Sequence, residues 1–108
     1  MMFRAELLNE ANVVVMRLQG QLSGDYAEHA RALVLRYNAD LPLLVDLTDV
    51  TNIDTRGEEV LAFFAGFGAE FIADNAYSRY LCERLQLPLA PTARAGAHRN
   101  GNNRNAKS

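Results

Sequence analysis

Leu41-Pro42-Leu43-Leu44-Val45-Asp46-Leu47, then Thr48-Asp49, then Val50-Thr51-Asn52-Ile53-Asp54-Thr55-Arg56-Gly57, is the stretch on which the fold turns. The apolar run over residues 43–47 has the length and composition of a buried strand. The acidic, polar residues after it suit a tight turn, and Thr55 with Glu58 makes the Thr-x-x-Glu pattern of a helix start. In that pattern the hydroxyl accepts from the backbone near Glu58, and the carboxylate returns to the amide of Thr55. Val60, Leu61, Phe63, Phe64 and Phe67 then supply an apolar face at helical spacing, and Gly66-Phe67-Gly68 ends the helix. A helix this short leaves room for one of the phenylalanines to be partly exposed, and such a ring would mark a docking patch.

Upstream, residues 3–8 and 13–18 suit two strands joined by the polar connection Asn9-Glu10-Ala11-Asn12, and Val13-Val14-Val15 is β-branched. Gly20-Gln21-Leu22-Ser23-Gly24-Asp25 breaks the extended pattern. Ser23 or Asp25 can cap the helix that follows, the latter with Glu28 as its capping-box partner. Tyr26, Ala30, Leu33, Val34 and Tyr37 fall at helical spacing, and Asn38-Ala39-Asp40 ends this helix. Downstream, residues 69–74 suit a last strand. A helix from Asn75 then presents Tyr77, Tyr80, Leu81 and Leu85, and Leu87-Pro88 closes the body. The order β-β-α-β-α-β-α predicts a single α/β domain with a small mixed sheet and helices packed mainly on one face.

Bulk properties exclude several classes. A chain of 108 residues is long enough for one core. No apolar run approaches the roughly 20 residues of a membrane-crossing helix, and the first residues lack a signal peptide's charged start and long apolar centre. The expectation is a cytoplasmic protein without membrane insertion. One cysteine, Cys82, permits no intrachain disulfide and no multi-cysteine metal site, and suits a small buried hydrophobe. Before Pro88 the chain has 7 arginines against 13 acidic residues, a net −6, whereas Arg94, Arg99, Arg104 and Lys107 give the remainder +4. From Pro91 on there is no aliphatic side chain larger than alanine and no aromatic. Such a segment cannot bury enough surface to offset its ordering entropy. The expected organisation is a folded domain over residues 1–90 and a disordered basic tail over residues 91–108.

The hairpin ending in Gly20, the polar-capped helix, the strand exit Val45-Asp46-Leu47-Thr48-Asp49-Val50 and the motif Ile53-Asp54-Thr55-Arg56-Gly57 together resemble the STAS domain. That module is shared by anti-sigma-factor antagonists and the cytoplasmic tails of sulfate transporters. The resemblance covers nearly the whole body and implies a STAS-like fold. It also implies a regulatory protein-interaction module in bacterial transcription or signalling control, with a partner-binding surface at Asp54, Thr55, Arg56, Gly57, Glu58 and Glu59. In antagonist members a kinase-like anti-sigma factor phosphorylates a hydroxyl at this turn and thereby loses affinity. Arg56 stands where the phosphorylated hydroxyl usually sits, and two further departures fall beside that surface: the segment between Gly57 and the Phe71 strand is shorter than is usual, and Glu58 replaces the aliphatic residue that commonly follows the glycine. The resemblance thus implies an interaction module whose phosphoserine switch is lost or moved to Thr55. The alternative it allows is an accessory subunit of a membrane lipid-transport ATPase, since STAS subunits of that kind lack the switch.

The residues themselves also admit plainer readings. Thr55 is a good helix cap, and capping occupies the oxygen that a kinase would need. Arg56 suits a solvated arginine or a partner for Glu58, Glu59 or an acidic group of another protein. Asp46, Asp49 and Asp54 suit turn aspartates that bond their own backbone amides. The only lysine is Lys107 in the tail, which argues against a phosphoacceptor receiver site. His29 and His98 have no ligand-like spacing to each other or to Cys82, so no metal is expected. No phosphate loop, Gly-x-Ser-x-Gly elbow or Cys-His pair is present, and neither catalysis nor a cofactor is expected. Four tail charges without aromatic stacking groups make a weak nucleic-acid site. A protein partner, either a kinase-like anti-sigma factor or a transporter ATPase, is therefore the expectation, with a homodimer left open.

Overall fold

The computed structural model describes residues 2–36 and 41–91. Its elements are β1 (Phe3–Glu10), β2 (Val13–Leu22), α1 (Gly24–Arg36), β3 (Leu43–Ile53), α2 (Thr55–Gly66), β4 (Glu70–Ile72) and α3 (Ala76–Leu85), in the predicted order. The sheet runs β1-β2-β3-β4. β1 and β2 form an antiparallel hairpin, and β2–β3 and β3–β4 are parallel, each pair joined through a helix. The mixed α/β architecture expected from the element order is the one observed.

Alternation along the strands assigns the two faces of the sheet. Val14, Met16 and Leu18 of β2, Val45 and Leu47 of β3 and Phe71 of β4 point to one side. There they pack on Ala27, Ala30 and Val34 of α1, on Val60, Leu61 and Phe64 of α2, and on Leu81 and Cys82 of α3. All three helices therefore cover the same face. The opposite face holds a smaller cluster of Val15, Leu44 and Ile72, with Leu8, Val13 and Ala90 against it. Small alanines on α1 let that helix approach the strands closely, and Phe64 and Phe71, both fully buried, fill the centre.

All four strands differ in extent from expectation. The hairpin turn is only Ala11 and Asn12, and β1 runs on to Glu10. β2 continues through Gly20 to Leu22. Gly20 does not end the strand, because its φ of 91° sits at a register irregularity in the β2–β3 ladder, where the Met2 carbonyl approaches so closely that a Cβ would lie 2.2 Å from it. β3 runs through the predicted turn to Ile53, because Asp49, Val50, Asn52 and Ile53 pair with Gln19, Gly20, Gln21 and Leu22. β4 is shorter than the predicted 69–74.

α3 presents a different face from the predicted one. Ser78, Leu81 and Cys82 are buried, with Leu85 packed against the core, whereas Tyr77 and Tyr80 are exposed. The tyrosines lie one step out of phase with the buried stripe. Asn75 caps α3 in a reciprocal box with Ser78, and its Nδ2 donates to the Thr48 carbonyl at 2.6 Å, which ties the helix start to β3. Gln86 adopts a left-handed conformation after the helix, and the chain then returns to the sheet. Phe71 N donates to Pro88 O and Ala90 N to Phe71 O, both at 2.8 Å, so residues 88–90 cover the outer edge of β4. The expectations for Tyr37, for residues 38–40 and for the tail beyond Pro91 lie outside the described residues.

Candidate functional site

The strand-to-helix junction at Asp54 organises the conspicuous surface. Asp54 is extended (φ −108°, ψ −174°) and serves as the N-cap of α2, with Oδ1 accepting from Gly57 N at 2.8 Å. Its other oxygen, Oδ2, accepts from Gly24 N at 3.1 Å, the first residue of α1. One carboxylate thus sits at the N-termini of both helices, where free N–H groups and the positive ends of two macrodipoles favour negative charge. Gly57 permits this convergence: a Cβ there would lie 2.2 Å from the Leu22 carbonyl and 2.6 Å from Ile53 Cγ1.

This arrangement corrects the predicted caps. Thr55 is not the cap of α2 but its first residue; it is exposed, and its hydroxyl makes no hydrogen bond among the described residues. Glu58 does not close a box with Thr55, because its carboxylate is bonded to Arg84 of α3. Asp25 lies within the first turn of α1 rather than before it. Asp46 and Asp49 stand in β3, not in a turn: Asp46 Oδ1 accepts from Thr48 N at 3.0 Å and Asp49 Oδ2 from Gln19 Nε2 at 3.5 Å.

The six residues expected to contact a partner divide among three surroundings. Asp54, Thr55, Arg56 and Glu59 are exposed, Gly57 is buried beneath them, and Glu58 is half-buried on the side toward α3. Arg56 reaches across to α1, where Nη1 donates to Glu28 Oε2 at 2.9 Å, and its Nε lies 3.6 Å from Glu59 Oε1. Glu28 also pairs with Arg31 at 3.6 Å, and the Arg31 guanidinium lies 4.9 Å from the centre of the Phe63 ring. Phe63 in turn stacks on Phe67, which is 45% exposed and is therefore the ring left at the surface by the short helix.

A shallow cleft between α1 and α2 is lined by Glu28, Arg31, Arg56, Glu59, Val60 and Phe63. Glu28 and Arg31 are the members that sequence reasoning missed. Their i,i+3 spacing on α1 was visible, but nothing local shows that Arg56 of another helix lies beside them.

Other groups contribute less to a site. Cys82 is buried, and loss of hydration pushes its thiol up to about 11, so it is the neutral thiol near pH 7. The hydrogen bond to Glu58 pushes the Arg84 guanidinium further up from its already high value. Among the described residues no three His, Cys, Asp or Glu side chains are grouped to hold a metal ion, and no helix is long and apolar enough to cross a membrane. His98 lies outside those residues.

No protein-family model and no curated protein matches the chain. Among solved structures it is similar to the anti-sigma factor antagonist SpoIIAA in its unphosphorylated form, with a TM-score of 0.60 and 17% identity over 94% of this chain and 100% of that one. An uncharacterised DUF3478-family protein from Shewanella loihica PV-4 with a SpoIIAA-like fold is matched with a TM-score of 0.56 and 10% identity, covering 89% of this chain and 91% of that one. A third structure, that of Mglu, is matched with a TM-score of 0.56 and 18% identity over 66% of this chain, which spans 19% of that protein. At these identities the likeness is one of fold: the chain has the STAS-like architecture of SpoIIAA.

Proposed function

We propose that this STAS-like chain is a non-catalytic regulatory module of the anti-sigma-factor-antagonist type, acting in bacterial transcription or signalling control from the cytoplasm without the usual phosphoserine switch. Its partner surface is the exposed end of α2, Asp54, Thr55, Arg56 and Glu59, continued onto Glu28 and Arg31 of α1. Gly57 holds the backbone in place, and Glu58 is the flank toward α3. Residues 1–90 are the interacting domain, and residues 91–108 are an appended basic tail.

One observation carries this reading. On a SpoIIAA-like fold, the exposed start of α2 carries the Arg56 guanidinium held between Glu28 and Glu59, and the family resemblance sets Arg56 where the phosphorylated hydroxyl usually sits. Arginine accepts no phosphate. The remaining hydroxyl, Thr55, stands beside the Asp54 carboxylate, so phosphate added there would face like charge at the oxygen acceptor that already caps α2. The surface is then a constitutive docking face, and partner exchange rests on concentration or on the partner's own state.

The same absence of a hydroxyl at Arg56 supports a second reading, an accessory subunit of a membrane lipid-transport ATPase. Affinity capture of the tagged protein from its own cells, with mass spectrometry of the bound proteins and of the Thr55 peptide, separates the two. Recovery of a kinase-like anti-sigma factor, lost on Arg56→Glu, supports the first reading, and recovery of a transporter ATPase supports the second. Phosphate on Thr55 in a large fraction of molecules overturns the constitutive face. Phosphorylation of an Arg56→Ser variant and the parent to equal extent by the captured kinase removes Arg56 from the account.

A further inference from the structure

The two edges of the sheet are treated differently. At the β4 edge the backbone groups of Phe71 are taken by Pro88 and Ala90. At the β1 edge no hydrogen-bond partner is present among the described residues, although β1 is eight residues long and contains no proline. Edge strands are ordinarily blunted by shortness, charged side chains, proline, a bulge or inward charge, and of these β1 has only the charged side chains Arg4, Glu6 and Glu10. β1 pairs with β2 in unbroken register from Phe3 to Glu10.

The hairpin fixes which backbone groups of β1 point outward. Its two-residue turn closes on the Glu10–Val13 pair, and Gln21 N donates to Met2 O at 3.2 Å. Antiparallel ladders alternate, so the even-numbered residues bond to β2 while Phe3, Ala5, Leu7 and Asn9 aim N–H and C=O at the open edge. Side chains alternate as well. Phe3, Ala5 and Leu7 pack toward the helices, which leaves Arg4 and Glu6 together on the opposite face, 3.1 Å apart in one ion pair.

We propose that β1 is a self-association surface on which a second copy of this chain adds its own β1 antiparallel, joining the two sheets edge to edge about a two-fold axis at Ala5. In that register Phe3 opposes Leu7 of the other copy and Ala5 opposes Ala5, each as a hydrogen-bonded pair made by the outward groups. Arg4 of each copy then stands opposite Glu6 of the other in the closer, non-hydrogen-bonded positions, where opposite charges attract. Sliding one strand by two residues either way sets Glu6 against Glu6 or Arg4 against Arg4, so charge order selects the register. Such a contact is isologous and closed, and leaves the α1–α2 cleft of both copies open.

Sedimentation equilibrium of the full chain over a range of concentrations is expected to show a mass rising toward twice 12.0 kDa. Arg4→Glu and Glu6→Arg, each alone, place like charges opposite one another and weaken the dimer by roughly tenfold or more. Mixed together, the two variants restore both attractive pairs, so native mass spectrometry should show the mixed dimer in preference to either pure one. Ala5→Pro removes an outward N–H that the chain's own hairpin does not use. It should keep the circular dichroism of the parent and lose the dimer. A monomer at every concentration, a dimer that survives Ala5→Pro, or a random mixture of charge variants overturns the proposal. So does a β1 edge found occupied by an extended segment of another protein. Should Ala5→Pro fail to fold, the charge-variant mixture decides.

Discussion

Gly57→Ala tests the central structural claim, because ordinary helix chemistry and this structure predict opposite signs. Inside a helix, alanine is favoured over glycine by about 1 kcal/mol, so on propensity alone the variant should be the more stable protein. Here the new methyl would lie 2.2 Å from the Leu22 carbonyl oxygen and 2.6 Å from Ile53 Cγ1. The oxygen belongs to the end of β2 and accepts from Asp54 N at 3.4 Å, so it cannot rotate aside like a side chain. Relief requires α2 to move by about an ångström, against Val60, Leu61 and Phe64, all buried. Overpacking of this kind costs roughly 1–3 kcal/mol, occasionally more. The same movement strains the 2.8 Å cap from Gly57 N to Asp54, and a lost cap costs roughly 0.5–2 kcal/mol. Set against alanine's helix preference, the net expectation is a loss of about 2 kcal/mol, or a fall in Tm of roughly 8–16 °C for a domain of this size. Urea denaturation followed by circular dichroism, with a thermal scan alongside, measures it directly. A variant as stable as the parent, or more stable, would refute the close approach and with it the explanation of how the two helix starts converge.

The remaining predictions concern the same junction and the core. Asp54→Ala should cost about 2–3 kcal/mol, the sum of two caps. Asp54→Asn, which keeps only one acceptor oxygen, should cost about half that by urea denaturation, and a loss near zero for Asp54→Asn would remove one of the caps from the account. Thr55→Ala should change stability by no more than about 0.5 kcal/mol, as for a surface residue without a structural bond. A loss near 1 kcal/mol in the same assay would return the cap to Thr55. Cys82 should resist thiol reagents at pH 8 in the folded protein and react on addition of denaturant. Its folded pKa, pushed up to about 11 from 9.0, lies above the unfolded one, so its contribution is complete below pH 9 and lost as pH rises toward 11. Cys82→Ser, compared with the parent across that window, should show a shallower decline.

Much of the element order was legible because it rests on runs that few other structures accommodate. Val14-Val15-Met16 and Leu43-Leu44-Val45 are buried on both faces of the sheet, and Val60, Leu61 and Phe64 recur at helical spacing. What failed was punctuation. Gly20 and the polar residues Thr48, Asp49, Thr51 and Asn52 look like terminators, but a strand that pairs along its backbone tolerates polar side chains, and Val50 among them is buried in the core. β2 and β3 prolong each other in that way. On α3 the tyrosines drew the predicted face toward themselves because they carry the most apolar area. Ser78, Leu81, Cys82 and Leu85 recur just as regularly, and the buried serine is satisfied locally by Asn75.

The cap of α2 was undecidable from local sequence, since Asp54 and Thr55 are adjacent and each is an acceptable N-cap with a donor three residues on. The deciding quantity is non-local. With Asp54 as cap, the third helical position falls on Gly57, the residue that can lie against the Leu22 carbonyl, and the second carboxylate oxygen falls within reach of Gly24 N. With Thr55 as cap, that position would carry the Glu58 side chain, and the hydroxyl has only one oxygen to share between two helices. The same register turns Arg56 toward α1 and Glu58 toward Arg84 of α3. A shift of one residue at the cap therefore determines which charges meet in the α1–α2 cleft, and the surface proposed for the partner is a consequence of where Gly57 fits.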